Sequence, residues 1–229
     1  MRILHTEDDD LTRDRVNLML RAEGFDIESA ALGQDGLDLA TLYNYDAVLL
    51  DVDLPDITGL EVLRKARLAG VKAPVLMVSG SDDQDTKLKC FAAGCDDFIS
   101  KPFHKDELLA RIRAVVRRSN GHHTPVLTCG DITVDLNSHA VAVGGKALHL
   151  TGYEYKILEC LMLRRGRTAT KNDLLDYLYA GRDEPGVKII DVFVFKLRRK
   201  LYLAASTQPI ETIWGTGYAL REQIAQVAQ

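Results

Sequence analysis

The sequence predicts an α/β protein in two units: a five-stranded, parallel, doubly wound domain first, then a smaller domain of short strands, three helices and a closing hairpin. Three observations predict it. Apolar strand-like runs alternate with helical patterns five times in the first half, which is the βα repeat of a parallel sheet. A stretch near residue 120 carries Gly and Pro without apolar periodicity, as a linker does. Beyond it the strand-like runs shorten and are followed by helical patterns and a glycine-turned hairpin.

Taken in order, strand-like runs at 2–6, 26–30, 46–50, 74–78 and 97–99 alternate with helical patterns near 11–23, 34–42, 59–69, 84–93 and 105–117. Gly24, Gly70 and Gly94 stand where helices should end, a position that favours a residue tolerant of positive φ. The segment from Ser119 to Pro125 is assigned as the linker, so the domains span 1–118 and 126–229. His122 and His123 lie in it without further ligand residues nearby and are read as solvated.

In the second half, Ile132 to Asp135 and Ala140 to Val143 read as strands, and Gly144-Gly145 as a hairpin turn before Lys146 to Leu150. Thr151-Gly152-Tyr153-Glu154 has the form of a capping box, in which the hydroxyl and the carboxylate satisfy the orphan amides of a helix start. The helix it opens carries Ile157, Leu158, Leu161 and Met162 on one face, a second follows near 170–179 with Thr170 available as its cap, and a third runs from about 187 to 203.

A chain of 229 residues suits two modest domains. It contains no apolar run of the ~20 residues needed to cross a bilayer, and its acidic cluster arrives too early for a signal peptide, so the expected location is the cytoplasm, without a membrane partner. Cys90, Cys95, Cys129 and Cys160 form no Cys-x-x-Cys pair, which argues against a zinc site or disulfide framework and for reduced, buried thiols. Residues 1–119 hold 16 Lys and Arg against 22 Asp and Glu, whereas 120–229 hold 13 against 11. The acidic total thus conceals a mildly basic second half, compatible with nucleic-acid binding if its cations cluster.

Chemistry-bearing residues gather at the ends of the strand-like runs. Glu7-Asp8-Asp9 follows the first run, Asp51 closes the third and leads into Val52-Asp53-Leu54-Pro55, Ser79-Gly80 ends the fourth, and Lys101-Pro102 follows the fifth. In an open parallel sheet the carboxyl ends of neighbouring strands share one crevice, and these groups would bind a divalent cation and a phosphoryl group. A lone Asp after a strand is an ordinary turn or cap residue, and Asp9 or Asp10 fits that role. The complete set is a different matter.

Their order and spacing resemble the receiver domain of two-component response regulators, a flavodoxin-like fold, over residues 1–118. The resemblance implies phosphorylation of Asp51, direct Mg2+ binding by Asp8, assistance from Glu7 through water, and the backbone carbonyl of Asp53 as a further ligand. Mg2+ prefers oxygen ligands and keeps several waters, and it offsets the repulsion between the acidic cluster and a phosphate dianion. Lys101 supplies a point charge to the phosphoryl oxygens. Ser79 is implied to hydrogen-bond the phosphoryl group and Phe98 to be the switch aromatic, a Tyr in many relatives. Similarity to the family also implies a cis Lys101-Pro102 bond.

On the third helix of the second half, Ile190, Val194, Leu197 and Leu201 fall at offsets 0, 4, 7 and 11 and form one apolar stripe. Lys188, Val192, Phe195, Lys196 and Arg199 lie on the opposite side, a largely cationic face suited to the major groove of double-stranded DNA. Pro209 to Leu220, with Gly215-Thr216-Gly217 at its turn, reads as a hairpin wing carrying Trp214. These features resemble the winged helix-turn-helix effector of OmpR/PhoB-type response regulators over residues 126–222. His104-Lys105-Asp106-Glu107, Leu148-His149-Leu150-Thr151-Gly152 and Asp183-Glu184-Pro185 are similar to the CtrA-type cell-cycle regulators of alphaproteobacteria, a similarity that implies control of cell-cycle, motility or gene-transfer genes. Trp214 stands where many relatives place an Arg, and Gln226-Val227-Ala228-Gln229 lacks the terminal Ala-Ala that some relatives use as a proteolysis signal.

The resemblance further implies a homodimer on activation, through Lys87 with Glu107 and Asp97 with Arg111 around an apolar patch of Leu88, Phe91 and Leu109. Expected partners are a histidine kinase or histidine phosphotransfer protein, DNA and RNA polymerase. An enzyme is not expected: Asp51-Val52-Asp53 superficially matches the Asp-x-Asp of haloacid-dehalogenase-type phosphatases, yet Leu54-Pro55 follows it and Asp96-Asp97 precedes the lysine. A phosphorylation-independent DNA-binding protein with a degenerate receiver is opposed by the intact acidic pocket, Ser79 and Lys101.

Overall fold

A computed structural model describes residues 1–81, 83–179, 185–204, the backbone of 205, and 208–222. The chain divides into two compact units between Ser119 and Asn120.

The first unit is built from β1 (Arg2–Thr6), α1 (Asp10–Ala22), β2 (Asp26–Ala30), α2 (Gly33–Leu42), β3 (Ala47–Asp51), α3 (Gly59–Leu68), β4 (Val75–Ser79), α4 (Gln84–Ala92), β5 (Asp97–Ser100) and α5 (Lys105–Ser119). All five strands are parallel, in the order β2-β1-β3-β4-β5. The reversal of strand order beside β1 opens a crevice at the carboxyl ends of β1 and β3. One core, with Ile3, Leu20, Leu49, Leu76 and Ile112, and another, with Leu4, Leu50, Leu63, Met77 and Phe98, bury the successive faces of the sheet. Continuous burial of Ala47–Asp51 and Val75–Ser79 is why these strands read as unbroken apolar runs.

Local signals set the helix ends. Asp9 caps α1 by accepting from the Thr12 amide at 2.8 Å, and Thr58 with Glu61 forms a capping box on α3. Gly24, Gly70 and Gly94 all take positive φ after α1, α3 and α4, as their placement suggested.

The second unit contains β6 (Val126–Cys129), β7 (Ile132–Asp135), β8 (Val141–Val143), β9 (Lys146–Ala147), α6 (Gly152–Leu163), β10 (Thr168–Thr170), α7 (Lys171–Tyr179), α8 (Lys188–Ala205), β11 (Ile210–Ile213) and β12 (Gly217–Leu220). Antiparallel β6 to β9 form one sheet, and β12 lies between β10 and β11 in another. Helix α6 packs on α7, α8, β6 and β12, with Ile157, Leu158, Leu161 and Met162 buried.

Several expectations need correction here. Strands β6 and β10 were not anticipated, and the strand expected over 146–150 stops at Ala147. The linker is shorter at its amino-terminal end, because α5 continues to Ser119, and at its other end β6 begins at Val126. His122 is not simply solvated: its Nε2 lies 3.0 Å from the Leu163 carbonyl oxygen. All four cysteines are buried, and burial pushes the Cys95 thiol up to about 12. Asp183, Glu184 and residues 226–229 lie outside the described residues. Among the described residues, no helix is long and apolar enough to cross a membrane.

Candidate functional sites

The parallel sheet delivers the first site. Asp51 ends β3, Glu7 and Asp8 follow β1, Ser79 ends β4 and Lys101 follows β5, so four adjacent strands contribute at one edge. Glu7 and Asp51 are buried, whereas Asp8 is exposed. One carboxylate oxygen from each of Glu7, Asp8 and Asp51 lies within 4.8 Å of the others, which fits the donor set of a small hard cation. Lys101 Nζ sits 2.5 Å from Asp51 Oδ2 and 2.6 and 2.9 Å from the two Glu7 oxygens. Burial opposes its charge, yet these two carboxylates hold the Lys101 pKa above the ordinary lysine value. Burial pushes Glu7 up to about 7, against the pull of the Lys101 ammonium and with the Asp51 charge adding to the rise.

The remaining receiver residues fall around this pocket. The Asp53 amide donates to Asp51 Oδ1 at 3.1 Å, which sets that backbone beside the acceptor carboxylate. Ser79 is fully buried, and its Oγ accepts from the Ser81 amide at 3.1 Å. Gly80 has open space where a Cβ would stand. The Lys101-Pro102 bond is cis. Phe98 is buried, its ring turned into the core, with Lys87 Nζ 5.6 Å from the ring centroid.

Two residues that shape the pocket escaped the sequence reading. Arg13, on α1, donates from Nη1 to the carbonyl oxygens of Glu7 at 2.8 Å and Asp8 at 3.3 Å, and it pairs with Asp10. It thereby fixes the loop that carries both acidic side chains. Asp56 accepts from the amides of Gly33 at 2.7 Å and Gln34 at 2.8 Å, anchoring the loop after Asp51 to the start of α2. These amide bonds, that of Gln34 foremost, hold the Asp56 carboxyl down to about 2. An Asp five positions beyond the acceptor, next to a loop-forming Pro, was the available signal.

The residues expected at a dimer face are only partly on the surface. Leu88 and Phe91 are exposed, but Leu109 is 5% exposed and belongs to the sheet-facing core. It lies on the same stripe of α5 as Ile112 and Val116, three and seven residues on, which turns it inward. Within one chain, Arg111 pairs with Asp97 at 3.0 Å and with Glu107 at 2.9 Å, so Glu107 and Asp97 already have a cation.

The second site is α8. Ile190, Val194, Leu197 and Leu201 are buried, while Lys188, Val192, Phe195, Lys196 and Arg199 are exposed. Asp191 on the same helix takes Lys171 at 2.8 Å and the Tyr218 hydroxyl at 2.5 Å, which ties α8 to the start of α7 and to β12. These hydrogen bonds, that of Lys171 foremost, keep the Asp191 carboxyl below the usual range. Arg198 donates to the Ile210 carbonyl and to Thr212 Oγ1, joining α8 to β11. Thr170 and Asp173 cap α7 reciprocally, at 3.0 and 2.8 Å. Trp214, at the turn between β11 and β12, is 90% exposed.

Comparison with known proteins identifies both domains. Residues 3–113 match the response regulator receiver domain, and 145–220 match the C-terminal domain of transcriptional regulatory proteins. The chain is 52% identical over 228 residues, 99% of each protein, to the cell cycle transcriptional regulator CtrA of Caulobacter vibrioides. It is 50% identical over 230 residues to the cell cycle response regulator CtrA of Brucella anthropi, covering 100% of this chain and 99% of that one. Among solved structures, the CheY-like receiver domain protein of Methanospirillum hungatei is 30% identical with a TM-score of 0.51, covering 52% of this chain and 96% of that one.

Proposed function

The chain belongs to the CtrA-like response regulators of the OmpR/PhoB type, and from that premise we propose that phosphotransfer to Asp51 promotes dimerisation and sequence-specific promoter binding. The observation that carries this reading is the convergence of Asp51, Glu7, Asp8 and Lys101 at one end of the parallel sheet.

Asp8 and Asp51 would hold Mg2+ directly, with the Asp53 carbonyl as a further ligand and Glu7 acting through water. The ion supplies charge neutralisation at the phosphoryl oxygens. An Asp51 carboxylate oxygen attacks phosphorus on a histidine kinase or histidine phosphotransfer protein, and the bond to the donor's imidazole nitrogen breaks as the new O–P bond forms. Lys101 turns from Glu7 to the phosphoryl oxygens, and the Ser79 hydroxyl donates to them. The phosphoryl group brings about two negative charges, and it shifts the population only as far as it binds one arrangement of Ser79, Phe98 and Lys101 better than the other. Leu88 and Phe91 give the activated α4-β5-α5 face its apolar contact, with Lys87 and Glu107 across the subunits and Asp97 and Arg111 beside them.

The protein is a cytoplasmic regulator rather than an enzyme, acting with RNA polymerase on cell-cycle, motility or gene-transfer genes. Support for the cell-cycle part is the name and full-length similarity of its relatives. In DNA, α8 lies in the major groove and the Trp214 wing beside it.

Incubation with acetyl phosphate and Mg2+ followed by intact-mass measurement should add one phosphoryl group, and Asp51→Asn should add none. An Asn variant labelled to the same stoichiometry would refute the assignment. For DNA, Lys196→Ala and Arg199→Ala should weaken binding. Loss of a phosphate-contacting cation lowers the salt slope by about one, and loss of a base-reading side chain costs ~1–3 kcal/mol and relaxes preference at one position. Unchanged affinity and salt dependence in both variants would remove α8 from the interface.

A further inference from the structure

Two side chains on the outer face of α8 do not fit a purely electrostatic role. Val192 is 45% exposed and Phe195 67% exposed, both amid the cations Lys188, Lys196 and Arg199. The helix already buries Ile190, Val194, Leu197 and Leu201 in its own domain, so neither residue is required for its packing. Whatever covers this face must therefore present negative charge and apolar surface together. Within the DNA major groove, the base edges offer hydrogen-bond donors and acceptors, and one apolar group, the C5-methyl of thymine.

We propose that Val192 and Phe195 read thymine methyl groups, so that α8 selects T·A pairs by apolar contact while its flanking cations hold the strand backbone. This deepens the reading of α8 as the DNA-reading helix and rests on it. Residues three apart on a helix have Cβ atoms about 5–6 Å apart, and base pairs along the duplex rise about 3.4 Å. The two side chains therefore span one to two base-pair steps. A short T-containing run is what they can cover at once. Branched Val and planar Phe lose little rotamer freedom when they dock, and neither offers a group that could reward cytosine, whose edge presents an amino donor in place of the methyl.

The test uses a duplex selected from a randomised pool by the full-length protein treated with acetyl phosphate and Mg2+. Each thymine is then replaced singly by deoxyuridine, which keeps every hydrogen-bonding group and lacks only the methyl. Loss of one buried methyl is expected to weaken wild-type binding about fourfold at one or more positions. Phe195→Ala or Val192→Ala should bind the thymine and uracil duplexes alike at the position it reads. Because both side chains are exposed, neither variant disturbs the core, and circular dichroism checks this. Wild-type protein that tolerates uracil everywhere, while Lys196→Ala or Arg199→Ala still weakens binding, overturns the methyl reading and leaves α8 in the groove. Uracil penalties that persist in both alanine variants overturn it as well. If none of the four variants changes affinity, the placement of α8 fails and the inference with it.

Discussion

Mg2+ binding at the receiver pocket should be linked to the release of a proton from Glu7. Burial raises the Glu7 pKa to about 7, and an ionised Glu7 that accepts from a metal-bound water favours Mg2+ binding, so binding below neutrality draws a proton off this carboxyl. Affinity should be flat above about pH 8 and fall about tenfold per pH unit below about pH 6.5. Stability without metal follows the same group. Between its ordinary value of 4.5 and about 7 the folded chain holds one proton more than the unfolded chain, so stability declines as pH rises through that window. The full difference is about 3 kcal/mol at ~1.4 kcal/mol per pH unit. Calorimetric titration of Mg2+ at pH 6, 7 and 8, in buffers of different ionisation enthalpy, counts the protons released. Glu7→Gln should abolish both the proton release and the decline in stability. Equal affinity at pH 6 and 8 without proton release, or an unaltered pH profile in Glu7→Gln, would refute the reasoning.

Arg13→Ala should weaken Mg2+ binding several-fold although it removes a nearby cation, because the clamp on the Glu7 and Asp8 carbonyls goes with it; tighter binding on calorimetry would show that only its charge matters. Gly59→Ala should destabilise the protein by ~3 kcal/mol or more in denaturant titration, since a Cβ there would stand 1.8 Å from the Asp51 carbonyl oxygen; an unchanged midpoint would contradict the packing. Leu109→Ala should cost ~2–5 kcal/mol as a core truncation, whereas a loss under ~0.5 kcal/mol would return Leu109 to the surface.

How much of this was legible in the sequence depended on whether a residue's partner lies close along the chain or far from it. The parallel strands were readable because burial on both faces makes them apolar throughout, as in Ala47–Asp51. Glycine stops and the Thr151-Glu154 box were readable because their partners lie within one helical turn. Strand β10 has only three residues and exists through its pairing with β12, some fifty positions away, so no local pattern announces it. The acidic pocket could be assembled from strand ends, but Arg13 and Asp56 act on backbone carbonyls and amides, and every sequence offers those at every position. Leu109 shares the helical period of Ile112 and Val116, all three buried on one face, and that local period, not the family correspondence, places it.

The protein contains one tryptophan, and it stands 90% exposed at the tip of the β11-β12 turn. Its optical behaviour is therefore almost decoupled from folding. The indole is as wet in the native chain as in a denatured one, so emission excited at the red edge of the absorption band should barely shift during unfolding, and a melt followed that way would look featureless while the secondary structure collapsed. The same isolation makes it a clean local reporter. Anything that closes over the turn must strip water from this ring alone, and the resulting shift or quenching would announce that event without interference from anywhere else in the molecule.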